Sequence, residues 1–197
     1  VATTAADRAR MVALYDGEIA YVDAQLGPLF RDAQARDALV VFVGDHGESL
    51  TEHDYLFDHG EYLYQPTLHV PFIVRVPSTW TAPHGQSDAL VQTIDVMPTL
   101  LAAAGVDVPD GIEGEDLIPL VRKGGTLAGP EGHVRQVAFS ESCRPWGVEK
   151  QHKGDYQNLY KAQSALRWPY KLIATPYAEK IEMYDLSEDP GETRDIA

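Results

Sequence analysis

Residues 38–48 read Ala-Leu-Val-Val-Phe-Val-Gly-Asp-His-Gly-Glu, and this stretch decides the fold of the chain. Its first six residues are continuously apolar and rich in valine, without the polar alternation of a half-exposed strand. A continuous run of this kind is typical of a strand that is buried on both faces. Gly44 ends the strand, so the sequence predicts a central strand covered by helices, with Asp45 and His46 at its carboxyl end.

The flanking segments predict an α/β chain. Apolar side chains recur at three- and four-residue steps through residues 4–35, which predicts one long helix before the strand. Residues 70–76 are again apolar and predict a second buried strand. Short helices are predicted at 93–104, with Thr93 as the N-cap and Gly105 as the C-terminal stop, and at 115–123.

The last third of the chain predicts a small antiparallel sheet. Four short, strand-like segments follow one another at residues 137–140, 165–167, 170–173 and 182–185. Lys171, inside the third segment, is expected to be a solvated residue that flanks a strand. The sequence therefore divides into a main part, residues 1–130, and a small C-terminal subdomain, residues 131–197.

Composition narrows the classes of partner. The chain has 30 acidic and 16 basic residues and a formal net charge of −14, which argues against a nucleic-acid backbone as a partner. An anionic substrate would require local positive charge from a metal, His, Lys or Arg. Cys143 is the one cysteine, so no internal disulfide can form. No apolar run is long enough to span a bilayer.

Asp45 and His46 are the first candidates for chemistry. Ligand sites in α/β sheets gather at the carboxyl ends of strands. Neighbouring side chains of a regular strand point to opposite faces, but Gly44 and Gly47 bracket this pair and permit a bend that would direct both to one ion. A carboxylate and an imidazole suit a divalent metal, although two ligands do not complete its shell. In the alternative, Asp45 caps backbone amides and His46 is a surface residue.

The loop that follows, residues 45–69, contains three more histidines among several carboxylates. His59 precedes Gly60, which permits a close approach of backbone or ligand. A protonated His59 could bind an oxyanion or protonate a leaving group. The alternative for His53, His59 and His69 is a hydrogen-bonded loop residue, and for His69, directly before a strand, this alternative is favoured.

Several motifs, in order, resemble those of the sulfatase family within the alkaline-phosphatase-like superfamily. The apolar strand that runs into Asp-His-Gly-Glu is the first of them, and the resemblance covers nearly the whole chain. The blocks that carry it are 41–48, Glu52-His53, 57–60, Leu63-Tyr64, 69–75, 93–105, Gly114, Leu117, Arg167, 170–173, 184–186 and 189–192.

The resemblance implies an alkaline-phosphatase-like mixed sheet flanked by helices, with residues 1–130 as the C-terminal part of the catalytic domain. It also implies hydrolysis of sulfate esters, of a small molecule or a glycan, at one divalent cation. That ion is commonly Ca²⁺, with Mn²⁺ or Zn²⁺ as alternatives. Asp45 and His46 match two metal ligands. His59 matches a cationic group that contacts the sulfate and the leaving-group oxygen, and His53 is a candidate for substrate binding.

One part of the family pattern is missing from this chain. Sulfatases carry a Cys/Ser-x-Pro-Ser-Arg motif in an earlier segment, whose cysteine becomes the formylglycine nucleophile, together with two further aspartate ligands. Residues 143–147, Cys-Arg-Pro-Trp-Gly, match only Cys-x-Pro and lie after the Asp-His pair.

The sequence, which begins at Val1, therefore predicts the C-terminal part of a longer sulfatase that is inactive without its N-terminal segment. Two alternatives remain open: part of a phosphodiester or phosphonate monoester hydrolase of the same superfamily, or a non-catalytic fragment or binding module.

Overall fold

The structure, a computed structural model, describes residues 4–82, 85–122, 135–142 and 161–197. Two antiparallel sheets and four α-helices form its framework. In chain order the elements are α1 (Ala5–Ala35), β1 (Val40–Val43), α2 (Gln65–Leu68), β2 (Phe72–Arg75), α3 (Val96–Ala103), α4 (Ile118–Arg122), β3 (Ala138–Glu141), β4 (Gln163–Arg167), β5 (Tyr170–Thr175) and β6 (Lys180–Asp185).

Helix α1 confirms the long helix predicted from the apolar stripe. It begins after Thr4, whose hydroxyl accepts the Asp7 amide proton while the Asp7 carboxylate accepts the Thr4 amide proton, a capping box. None of its residues is buried, and Ile19 and Leu29 of the stripe are exposed. No helix within the described ranges is long and apolar enough to cross a bilayer.

Strands β1 and β2 pair with each other in an antiparallel register that places Val40 opposite Arg75. All four residues of β1 are partly exposed, and Ile73 of β2 is exposed. Phe30 of α1 meets Phe42 of β1 edge-on, with ring centroids 6.2 Å apart. The prediction of a central strand buried on both faces is thus not met within the described residues, because two strands and one helix contact cannot enclose it.

The carboxylate of Asp95 connects several segments in the middle of the chain through hydrogen bonds. A short 3₁₀ helix, Thr93–Asp95, leads into α3, and the Asp95 carboxylate accepts the Gln92 amide proton. The cap is therefore at Gln92 and the predicted N-cap at Thr93 is wrong. Asp95 is buried, accepts the Glu115 amide proton and pairs with Arg135 at 2.7 Å. The predicted stop of α3 is confirmed, since Gly105 has a φ of 69°.

The small C-terminal sheet is confirmed, with four antiparallel strands in the order β3-β4-β5-β6. Its buried side chains Ile173 and Tyr184 cluster with Leu63 from the histidine loop, and Tyr64 packs against the same cluster. The histidine loop therefore rests on this sheet. The subdomain boundary predicted at residue 130 falls outside the described residues and stays a prediction.

Lys171 is buried, contrary to the expectation from the sequence that it is solvated. Its ammonium lies 2.6 Å from Glu192 Oε1, and the two side chains are 1% and 0% exposed. Lys171 shares the buried face of β5 with Ile173, so it is not the solvated residue that was predicted. Burial lowers the pKa of Lys171, and the charge of Glu192 opposes that change. Glu192 Oε2 also accepts the Gln65 amide proton at 2.6 Å, which joins the C-terminal tail to the start of α2.

Replacing one partner of this buried pair is expected to be strongly destabilising. Lys171→Met should lower the free energy of unfolding by roughly 3–5 kcal/mol, because Glu192 is left as an uncompensated buried charge. The double variant Lys171→Met/Glu192→Gln should recover most of that loss, since no buried charge remains and the amide oxygen can still accept from Gln65.

Lys161→Met is the matched control, because it breaks the more exposed Lys161–Glu141 pair, 3.0 Å apart. It should change the free energy of unfolding by less than about 1 kcal/mol. Chemical denaturation of the complete protein measures all three variants, and equal losses at Lys161 and Lys171 would contradict the expectation.

Candidate metal and anion-binding site

The bend after β1 is fixed from the opposite segment of the chain. The Gly44 amide donates to Pro71 O at 3.1 Å and the Gly47 amide to Thr67 O at 2.9 Å. A Cβ atom on Gly47 would lie 2.0 Å from Pro66 O, so the two backbones can approach this closely only with glycine at position 47. Asp45 and His46 are thereby held between two anchored glycines, as the sequence predicts.

The hydrogen bonds of His46 set its tautomer. Its Nδ1 lies 2.8 Å from Gly47 O, a carbonyl that can only accept, so Nδ1 carries the proton. In the neutral ring Nε2 then keeps its lone pair, which is the form that binds a metal. This atom lies 3.7 Å from Asp45 Oδ2, so the two side chains could hold one divalent cation together.

Asp45 combines the two roles that the sequence left open. Its Oδ1 accepts the His46 amide proton at 3.0 Å, as the capping alternative requires. Its side chain is 91% exposed, and Oδ2 remains available to a ligand. No group of three or more His, Cys, Asp or Glu residues in the described part of the chain could hold a metal. Asp45 Oδ2 and His46 Nε2 are the two atoms at this bend that could ligate a metal.

His59 lies directly on His46. The two rings stack with centroids 3.8 Å apart and an interplanar angle of 18°. His59 Nδ1 is 3.1 Å from Glu48 Oε2, so a proton on Nδ1 is shared with a carboxylate and Nε2 is left for another partner. Glu48 is mostly buried, and its Oε1 has no hydrogen-bond partner among the described residues. No role was predicted for Glu48 from the sequence, although it is the last residue of the Asp-His-Gly-Glu motif and could have been considered on that ground.

Tyr55 fixes the backbone of His59. Its hydroxyl donates to His59 O at 2.8 Å. Burial and the nearby charges of Asp58 and Glu61 raise the pKa of Tyr55 to about 12, so this hydroxyl stays protonated and remains a donor. The position of His59 over His46 is therefore held from both its side chain and its main chain.

Hydrogen bonds of Ser49 and Glu52 hold together the loop between His46 and His59. Ser49 is buried, exchanges backbone hydrogen bonds with Asp58, and donates its hydroxyl to Tyr55 O at 2.6 Å. Glu52 accepts the amide protons of Leu50 and Thr51. These bonds bring the ends of the loop together, so Glu48 and His59 come within hydrogen-bonding distance.

His53 belongs to a second stack. Its ring lies on that of Tyr64, with centroids 3.6 Å apart and an interplanar angle of 8°, and its buried Nε2 has no hydrogen-bond partner in the described part of the chain. Its φ of 54° is in the left-handed region. His69 is exposed, and its backbone amide donates to Gln65 O at 2.8 Å. The remaining histidines at 84, 133 and 152, and the cysteine at 143, lie outside the described residues.

Comparisons with known proteins show which family the chain belongs to. The sulfatase family profile matches residues 2–106. Arylsulfatase K of Xenopus laevis is 29% identical over 159 residues, which cover 80% of this chain and 27% of that protein.

Two solved structures extend the likeness to three dimensions. The phosphonate monoester hydrolase of Agrobacterium radiobacter has a TM-score of 0.81 and 28% identity over 98% of this chain and 38% of its own. The structure of BT4656 in complex with its substrate, D-glucosamine-2-N,6-O-disulfate, has a TM-score of 0.73 and 26% identity over 90% of this chain and 34% of its own.

The fold is thus the alkaline-phosphatase-like α/β fold shared by these hydrolases. The chain belongs to the sulfatase family, and the matched range contains Asp45, His46, His53 and His59. The chain spans about a third of the length of the curated relatives it matches.

The close approach at Gly47 can be tested by substitution. Gly47→Ala should lower the free energy of unfolding by roughly 1–3 kcal/mol, because its Cβ must displace the Pro66 carbonyl. It should also move His46 off His59, which changes the ring-current shifts of both imidazoles in NMR spectra. Gly17→Ala is the control: it lies inside α1 with nothing near its Cβ position, and should stabilise by about 0.5–1 kcal/mol. Stability changes of the same sign in both variants would refute the steric argument.

Proposed function

We propose that this chain is the metal- and substrate-binding C-terminal part of a sulfatase that hydrolyses sulfate esters. One observation carries the proposal. His46 and His59 stack 3.8 Å apart, and each ring has its Nδ1 engaged, by Gly47 O and by Glu48, so that each Nε2 is left for another partner. One metal-ligating and one anion-binding imidazole in contact with each other suit the hydrolysis of an anionic ester.

Asp45 and His46 would hold one divalent cation. Ca²⁺ is the ion we propose, with Mn²⁺ or Zn²⁺ as alternatives, because a carboxylate suits a hard cation while the imidazole also suits a transition metal. When bound, the cation supplies positive charge that offsets the negative charge of the group being transferred. The Gly47 carbonyl, by holding Nδ1 of His46, keeps the ligating nitrogen free of its proton.

His59 would act on the substrate. With Glu48 fixed to its Nδ1, the ring has one defined orientation and presents Nε2 to the sulfate or to the leaving-group oxygen. A proton on Nε2 would then pass to that oxygen as the ester bond breaks. His53 would bind the substrate through its imidazole, whose ring is held on that of Tyr64.

The nucleophile would come from a segment outside this chain. In this proposal that segment carries a cysteine matured to formylglycine and supplies the remaining metal ligands, and the 197 residues alone are inactive. Two observations support it: the chain spans about a third of the length of the curated relatives it matches, and the apolar stripe of α1 is exposed. A surface of that kind is suited to be covered by further parts of the fold.

The substrate class has two candidates. The structure of BT4656 with a disulfated glucosamine favours a sulfated glycan. The phosphonate monoester hydrolase of Agrobacterium radiobacter, which has a TM-score of 0.81 and covers 98% of this chain, favours a phosphonate monoester as the second candidate. Both are tetrahedral anionic esters, so the described residues are compatible with either one.

Metal binding tests the first half of the proposal. Calorimetric titration of the complete protein with Ca²⁺, Mn²⁺ and Zn²⁺ should give one site per chain. Asp45→Ala and His46→Ala should each weaken it by more than about 100-fold, because each removes a direct ligand. Asp23→Ala on α1 and His69→Ala should leave the affinity unchanged. Equal affinity in the Asp45→Ala/His46→Ala double variant would refute the site, and residues 1–197 alone should bind weakly or not at all.

Leaving-group dependence tests the role of His59. His59→Ala in the complete protein should lower kcat about 10²–10⁴-fold for a sugar sulfate, whose alcohol must be protonated as it leaves. The loss should be much smaller for p-nitrophenyl sulfate, whose phenolate leaves unaided, and His69→Ala should affect neither substrate. Equal losses on both sulfates would contradict the role as proton donor. Faster turnover of p-nitrophenyl phenylphosphonate than of either sulfate would favour the second candidate.

A further inference from the structure

Tyr64 connects His53 to the C-terminal sheet. One face of the Tyr64 ring lies on the His53 imidazole, and the Tyr64 hydroxyl donates to Glu182 Oε1 at 2.8 Å. Glu182 is a buried residue of β6. The same oxygen accepts a proton from the Tyr184 hydroxyl at 2.6 Å and pairs with Lys180 at 2.8 Å. A residue of the histidine loop is thus tied to a carboxylate that the sheet itself holds in place.

The protonation states of Tyr64 and Glu182 strengthen the hydrogen bond between them. Burial raises the pKa of Glu182, but hydrogen bonds from Lys180, Tyr184 and Tyr64 together outweigh it, and the net pKa is lowered. Burial and Glu182 raise the pKa of Tyr64, so its hydroxyl stays protonated. A neutral hydroxyl therefore donates to an ionised carboxylate, which gives a stronger bond than one between two neutral groups.

A second tie fixes the backbone next to Tyr64. The Gln65 amide donates to Glu192 Oε2 at 2.6 Å. The other carboxylate oxygen of Glu192, Oε1, pairs with the Lys171 ammonium at 2.6 Å. Lys171 Nζ also lies 3.2 Å from Gln65 Oε1. Tyr64 is thereby constrained through its hydroxyl by Glu182 and through the following peptide by Glu192, at two separate carboxylates.

The orientation of the His53 side chain depends on its contact with Tyr64. The φ of His53, 54°, and that of Asp54, 56°, place both residues in the left-handed region, which side-chain-bearing residues rarely adopt. The Nε2 of His53 makes no hydrogen bond to any residue that the structure describes. The orientation of the imidazole therefore rests on the ring beneath it.

We propose that Tyr64 is a positioning residue: the C-terminal sheet holds Tyr64 through Glu182, and Tyr64 holds the His53 imidazole in the orientation that meets the substrate anion. The proposal rests on the substrate-binding role proposed for His53. It assigns the C-terminal sheet a part in substrate affinity, although none of the residues in this tie need touch the substrate.

A pair of matched variants tests it in the complete protein. Tyr64→Phe and Tyr184→Phe each remove one hydroxyl from the same Glu182 oxygen, but only Tyr64 contacts His53. Tyr64→Phe should raise KM for the sulfate ester about tenfold with little change in kcat, the effect expected when one charged hydrogen bond stops orienting a binding group. Tyr184→Phe should leave KM unchanged.

The second readout is the ring-proton resonance of His53 in NMR spectra, assigned with His53→Gln. It should move in Tyr64→Phe and stay in place in Tyr184→Phe. If Tyr64→Phe does not fold, Glu182→Gln, which keeps an acceptor oxygen but not its charge, serves in its place.

The outcomes separate this proposal from the proposed function. An unmoved His53 resonance in Tyr64→Phe, or equal effects in both variants, overturns the positioning role. A resonance that moves only in Tyr64→Phe supports it, even where no sulfate ester or phosphonate is turned over and the proposed function fails.

Discussion

The buried pair of Lys171 and Glu192 is the constraint on which the histidine loop depends. Two full charges without exposure are stable together and unfavourable apart. Glu192 also accepts the Gln65 amide proton through Oε2, so the ion pair links the start of α2 to β5. The loop is fixed at its other end where the Gly47 amide meets Thr67 O. A long polar loop is in this way confined between two points, and its histidines occupy defined places.

Each residue of the Asp-His-Gly-Glu motif has a separate task in this arrangement. Asp45 offers one carboxylate oxygen outward and uses the other to hold the next amide. His46 is oriented by the carbonyl of Gly47, and Gly47 also permits the approach of Pro66. Glu48 reaches across the loop to His59. Four consecutive residues thus position both imidazoles, the one proposed to ligate a metal and the one proposed to bind the anion, which explains why the residue types and their order matter together.

The local elements could be predicted because their signals are local. The stripe of α1, the apolar run of β1 and the spaced strands of the C-terminal sheet lie within short windows of sequence. The candidate residues at the end of β1 followed from the strand and its glycines. Residue chemistry alone left a metal pair and a capping turn as alternatives, and Asp45 combines geometry suited to both.

What could not be predicted depends on contacts between distant segments. Nothing near Lys171 in the sequence indicates that Glu192 will neutralise it, so an ionisable residue in a strand was expected to face water. The stack of His53 on Tyr64 and the bond from Tyr64 to Glu182 likewise require the loop to lie on the C-terminal sheet. Burial of β1 was overestimated for the converse reason, since a strand's composition does not reveal how many neighbours it has.

The exposed stripe of α1 has a consequence for the behaviour of the chain in solution. Its apolar side chains favour association with any similar surface, including a second copy, whereas a net charge of −14 keeps copies apart. These two tendencies respond differently to ionic strength. At about 0.1 M salt, charges are screened beyond about 10 Å, while apolar attraction is not weakened. Dilute buffer therefore favours dispersed molecules, and concentrated salt favours aggregation through this helix.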